Sequence, residues 1–309
     1  MLNSNLLRLK LPVAATTDAT APAVGGQCWQ QLAAPQRLES QSLTRRRLLT
    51  FLGLGGGIQA FSPSVVCWGD EPRQWLFELQ VGRFTIHADF DVATLADLPL
   101  ELTGLTGDVS SVLGIEATHQ PVHVVLFASA SEYQRYMRNY FPQLPERRAL
   151  FIQDRGPGML FAHWHADIAS DVRHEVTHAL LNDSSRPLPL WLDEGLAKYF
   201  EAERSRRFDG HAYLQEVSQR ASRGIVPTLQ PLEAADQLSE FKEPHYRDSW
   251  AWVHFLIHRS AATRELLQRA LAQHRSGADP LPLSRQLDLL SREISSEFLA
   301  HFRAFERPS

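Results

Sequence analysis

Two short segments constrain this chain more than anything else in it. His174-Glu175-Val176-Thr177-His178 is followed by Glu194 in Trp191-Leu192-Asp193-Glu194-Gly195-Leu196-Ala197, with residues 179–193 between them. Residues four apart on a helix stand one above the other, so His174 and His178 can present both imidazoles to one ion. Glu175 lies beside that face and reaches toward a water on the ion rather than toward the ion itself. A catalytic zinc site also needs a third protein ligand and an open position, and Glu194 offers a carboxylate. Residues 171–181 contain no Gly or Pro, and Val172, Val176, Ala179 and Leu180 fall at helical spacing. This helix has to stop at Asn182-Asp183-Ser184-Ser185, ahead of Pro187 and Pro189. A second helix opens near Trp191 and runs through Leu196, Ala197, Tyr199 and Phe200. A short Pro-containing loop can therefore return Glu194 to the histidine pair. With 13 His and 35 Asp+Glu in 309 residues, chance alone yields His-acid-x-x-His about 0.06 times per chain. The competing account, two surface histidines on an ordinary amphipathic helix, explains neither Glu175 nor the second segment.

The pair HEVTH and WLDEGLAKYFE resembles the gluzincin branch of the peptidase MA clan. Within it the chain is similar to the uncharacterised peptidase-MA-like exported proteins, in which HExTHALL precedes PxWLxEGLAxYFE. The resemblance spans about residues 149–257. It implies a zinc-dependent metallopeptidase with one Zn2+ per chain, held by His174, His178 and Glu194. Glu175 would be the catalytic base, assisting attack of a zinc-bound water on the peptide bond. Gluzincins commonly place a Tyr or His downstream of the third ligand to stabilise the oxyanion. Here Tyr246 stands where the related exported proteins carry a Tyr before a Ser-Trp helix, with His245 as the alternative. Fewer residues separate His178 from Glu194 than in thermolysin or aminopeptidase relatives, so the shape of the substrate cleft is not carried over. No GxMEN-like motif is present, and nothing supports an aminopeptidase.

The front of the chain has a different character. Residues 12–35 are rich in Ala, Thr, Pro and Gly without a period and read as disordered. Arg45-Arg46-Arg47 then precedes a Gly-softened apolar run over residues 48–61. Positive charge before a short apolar run is the layout of a signal peptide, and the paired arginines resemble a twin-arginine export signal. The run is short for a membrane span, which needs about 20 residues. An uncleaved run would instead act as a membrane tether. The expected division is a leader and signal over 1–69 and one peptidase domain over 70–309, exported from a bacterial cytoplasm by its export machinery. Cys28 and Cys67 both lie in the front segment, so no thiolate zinc site is available after it. The net charge of −4 argues against a nucleic-acid partner.

Past residue 70, strands come first and helices later, which predicts an α+β domain. The resemblance makes that a zincin-like fold with a mixed sheet, an active-site helix and a mostly helical C-terminal part. Residues 75–90 alternate about a central Val-Gly and read as two paired strands. Residues 93–113 are helical by period, 122–127 form a buried strand, and Ser129 or Ser131 caps the next helix. Residues 149–153 and 159–164 are two strands around Gly156-Pro157-Gly158. If 159–164 is the cleft edge, its backbone could pair with an extended peptide.

His163 and His165 share a face of that strand, and the simpler account is an exposed edge carrying neutral imidazoles. His254 and His258 also stand four apart, but without an adjacent Glu and inside an apolar helix, and read as packed histidines. Asp171 and Asp183 flank the motif helix, and either could orient the ligand imidazoles. The expected activity is hydrolysis of a peptide or protein substrate. The rivals are an exported zinc amidase acting on cell-wall material and a non-catalytic domain stapled by its metal.

Overall fold

The computed structural model describes residues 65–68 and 71–306, except 96, 117–119, 154–155 and 182–186, with side chains described from residue 75 onward apart from that of residue 240. The expected leader over 1–69 lies outside the described residues but for one strand. Among the described residues no helix is long and apolar enough to cross a membrane.

Strands β1 (Val65–Trp68) and β2 (Glu71–Gln74) pair antiparallel as a separate ribbon. The main sheet is five-stranded and mixed, built from β3 (Phe77–Val81), β4 (Phe84–Ala88), β5 (Val122–Phe127), β6 (Ala149–Ile152) and β7 (Gly158–His163). Its order is β3-β4-β5-β7-β6. The β3–β4 hairpin turns at Gly82, whose φ of 58° lies in the left-handed region that favours glycine. From β4 onward the sheet runs parallel through β5 to β7. Parallel neighbours require crossovers, and α1 (Leu98–Leu113) supplies the first. Strands covered on both faces read as continuous apolar runs, which is why Val122–Phe127 is buried almost throughout.

Pleating divides the sheet's side chains between two cores. Ile86, Val124, Leu126, Phe151 and Leu160 join the core that includes α1 and α3 (Ile168–Leu181). Val125, Phe127, Leu150 and Phe161 face the other way, against Tyr133 of α2 (Ala130–Tyr140), whose N-cap is Ser129.

One expectation is corrected here. The edges are β3 and β6, and residues 159–164 are not an edge, because β7 pairs parallel with β5 on one side and antiparallel with β6 on the other.

The C-terminal part is helical: α4 (Leu190–Phe200), α5 (Leu214–Ser222), α6 (Leu229–Ala234), α7 (Glu243–His258), α8 (Ala261–Arg275), α9 (Leu283–Leu290) and α10 (Ile294–Arg303). Helix α7 is buried on nearly every side from Tyr246 to Ile257, as a central helix must be. It carries His254 and His258 as packed imidazoles. His254 Nε2 donates to the Phe208 carbonyl at 2.8 Å, which leaves its Nδ1 to accept from His301 Nε2 at 3.0 Å. His258 Nε2 meets the Tyr199 hydroxyl at 2.8 Å.

Burial, with lesser help from neighbouring cationic groups, lowers the pKa of His258 and His301 from 6.5 to about 4. It holds His254 well below its ordinary value. These rings are neutral when folded and take up protons near pH 6.5 when unfolded. Their contribution to stability is therefore complete above that pH and is lost as pH falls toward 4. Melting temperatures followed by circular dichroism should drop across that window, and a His258→Gln/His301→Gln variant should show a shallower slope; equal slopes would mean these rings do not set the acid response.

Candidate metal centre

Helix α3 is buried without interruption from Asp171 to Leu181. Its position between the sheet and α4 places both motif imidazoles in the interior. His174 Nε2 and His178 Nε2 lie 3.1 Å apart. Helix α4 begins at Leu190, just after Pro189, and brings Glu194 Oε2 to 3.6 Å from His174 Nε2 and 3.9 Å from His178 Nε2. The three side chains have no solvent exposure, and together they form a group that could hold a metal ion. Tetrahedral zinc with bonds of about 2.0–2.2 Å sets its ligand atoms about 3.3–3.5 Å apart. The three observed separations bracket that figure.

Glycine at 195 lets α4 come this close. A Cβ there would sit 2.8 Å from the Ser249 carbonyl oxygen and 2.9 Å from Val253 Cγ2, so only a residue without a side chain lets α4 lie against α7.

The tautomers follow from the partners on the far side of each ring. His174 Nδ1 lies 2.9 Å from Glu201 Oε2, and His178 Nδ1 lies 3.3 Å from Asp193 Oδ1. An ionised carboxylate only accepts, so each Nδ1 carries a proton and each Nε2 is the atom turned toward the shared point, where it can hold either a proton or a metal ion. Two imidazole nitrogens and a carboxylate oxygen then converge on one dry point, an arrangement that attracts positive charge, whether a proton or a metal ion. The same field shows in the proton affinities. Burial disfavours the charged form of His174, but Glu194 and Glu201 outweigh it and raise its pKa to about 9. For His178 burial again opposes the charge, and Asp193 with Glu194 reverses the direction.

Glu201 is held from three sides. Lys198 Nζ reaches its two oxygens at 2.9 and 3.3 Å, His174 takes one of them, and His211 Nε2 lies 3.5 Å from the other. Burial alone would raise its pKa, but Lys198, His174 and His211 hold it well below the usual carboxylate range. It stays ionised.

Asp193 and Glu201 are thus the carboxylates that stand behind the two imidazoles among the described residues. Asp171 is engaged elsewhere, accepting from Arg148 Nη2 at 2.9 Å and facing His165 Nε2 at 3.1 Å. Asp183 lies outside the described residues. The missed signal was helical spacing, since Glu201 follows Glu194 by seven residues, two turns along the same helix.

Glu175 faces the edge strand. Its Oε2 accepts from the Phe151 backbone N–H of β6 at 2.9 Å. Its Oε1 is buried with no hydrogen-bond partner among the described residues. Burial raises the pKa of this carboxyl.

Tyr246 is also fully buried, its ring edge-on to Phe241 at 5.0 Å. His245 Nδ1 accepts the Lys242 N–H at 3.0 Å and so closes the start of its own helix. Neither residue belongs to the three-residue group, nor do His163, His165, His254 and His258. His163 instead packs against Tyr133.

The crystal structure of an M1 zinc metallopeptidase from Deinococcus radiodurans is similar to this chain at 17% sequence identity, with a TM-score of 0.40. The similarity covers 82% of this chain and 54% of that one, so the chain spans about half the length of that protein. No protein-family model and no curated protein matches the chain.

Replacing Glu201 by Gln removes the charge that fixes His174 while keeping the volume. Zinc affinity in competition with a chelator should fall about 10–100-fold, as when other such partners are removed; an unaltered affinity would show that Glu201 does not set the ligand ring.

Proposed function

We propose that the chain is a zinc-dependent metallopeptidase, with His174, His178 and Glu194 as metal ligands and Glu175 as catalytic base. The observation that carries the enzymatic reading over a structural metal site is the state of Glu175. A carboxylate buried with one oxygen unsatisfied costs about 1–3 kcal/mol, and a stapling metal has no use for it. The same oxygen is what a general base requires.

Zinc held by the three ligands would act as a Lewis acid and lower the pKa of a water in its open position to about 7. Glu175 takes the proton from the attacking water and passes it to the leaving amine. Its burial shifts its proton affinity upward, toward the working pH of such a step. The Phe151 N–H holds the second oxygen, so the carboxyl group does not rotate away. Tyr246 donates its hydroxyl to the developing oxyanion.

A peptide substrate is favoured over another amide by the neighbourhood of the base. Glu175 is hydrogen-bonded to the backbone of an edge strand, and an extended peptide can pair with such an edge. Because the four reactive side chains are shut off from solvent in this conformation, turnover requires an opening of the site. The same reading places the enzyme outside the cytoplasm, exported by the segment over residues 44–61.

A fluorogenic peptide library, assayed with and without chelator, tests the activity directly; hydrolysis that survives complete zinc removal would sink the reading. Glu175→Gln should retain zinc and lose turnover by about 10²–10⁴-fold, whereas Glu194→Ala should lose most of its zinc. Tyr246→Phe should lower kcat by about 10²-fold with metal content preserved, and an unchanged kcat would return Tyr246 to a packing role.

A further inference from the structure

His211 lies outside both sequence motifs, on the connection between α4 and α5. Its surroundings are built around one ring nitrogen. The Tyr213 backbone N–H donates to His211 Nδ1 at 3.1 Å. That bond leaves the proton on Nε2, which lies 3.5 Å from Glu201 Oε1. The side chain is only 5% exposed, and the ring stacks on Trp250 of α7 at 4.5 Å and 18°. The connection is fastened on both sides of His211. Arg207 pairs with the buried Asp108 of α1 at 2.5 Å, and the Tyr213 hydroxyl donates to Glu243 Oε1 of α7 at 2.6 Å.

We propose that His211 is a positioning residue of the metal centre, aiming an N–H at Glu201 so that Glu201 holds the His174 ring in its ligand orientation. The inference rests on the assignment of His174 as a ligand. Glu201 lies at the end of α4 and, among the described residues, its carboxylate has two partners besides His211. Lys198 comes from the same helix, and its ammonium is a point charge on a flexible stem. His174 is the ring being oriented. Apart from His174 itself, His211 is the partner that reaches Glu201 from a separate, fastened segment through a donor of fixed direction. A ligand ring is held as well as the carboxylate behind it, and a carboxylate with one rigid donor holds better than one with a mobile donor alone.

Three forms of the full-length chain test this: wild type, His211→Phe and His211→Gln. Phenylalanine keeps a ring to stack on Trp250 and removes the donor, while glutamine returns an N–H. Zinc release into excess chelator, followed by a chromogenic indicator, should be about tenfold faster in His211→Phe and return most of the way to wild type in His211→Gln. Melting of the chelator-stripped forms reports folding separately, and His211→Phe should melt close to wild type there. Zinc release at the wild-type rate in His211→Phe overturns the proposal. So does equally fast release from both variants, or loss of stripped-form stability that accounts for the change. A wild-type chain that binds no zinc overturns the underlying ligand assignment instead, which metal analysis of that chain alone shows.

Discussion

Two imidazole Nε2 atoms and one carboxylate oxygen face one another in the interior, and the surrounding packing fixes where each of them stands. Buried groups of this kind stay close only around a shared positive charge and with support from behind. They stay together because each is fixed from behind. Asp193 holds His178, Glu201 holds His174, and the backbone of α4 carries Glu194 itself. On the proposed reading a metal ion takes the place of the protons that these groups bind, and part of its binding free energy becomes folding free energy.

Helix packing sets the precision of the site. Three helices meet there: α3 with the histidines, α4 with the carboxylates, and α7 across the back. The approach of α4 to α7 is set by Gly195, next in sequence to Glu194. A methyl group at that position would meet a backbone carbonyl, which cannot swing aside as a side-chain tip can. The displacement would pass directly to Glu194. A glycine that looks like a weak point in a helix is therefore what fixes the ligand distance, and its cost in helix propensity of about 1 kcal/mol is the smaller effect.

Much of this was legible in the sequence where local spacing carried the information. The two imidazoles four apart, the helix break before Pro187, the renewed helix at Trp191 and the hairpin about Gly82 all follow from rules acting within a few residues. Which strand forms the edge is not legible, because strand order is decided by long-range pairing. Nothing in residues 149–163 says that the second strand of that hairpin will also pair with β5. The carboxylates behind the imidazoles, Asp193 and Glu201, stand on either side of Glu194 rather than beside the histidines, and Asp171 is turned to Arg148 and His165. His211 was invisible for a related reason, since its partner Glu201 is ten residues away across a turn and its stacking partner Trp250 is on another helix.

The tie between Glu175 and Phe151 joins two parts that could have been independent. One carboxylate oxygen holds the edge strand, and on the proposed reading the other is left for chemistry. The Arg148 side chain, just ahead of the same strand, reaches Asp171, one helical turn before Glu175. Strand β6 and helix α3 are therefore linked twice along one face, so the strand cannot slide without rotating the base. On the proposed reading, a peptide aligned on that strand is aligned to Glu175 by the same contacts. Register along the edge and reach of the base then become one geometric variable, which is how a site with a single buried base could select which bond of an extended chain it meets.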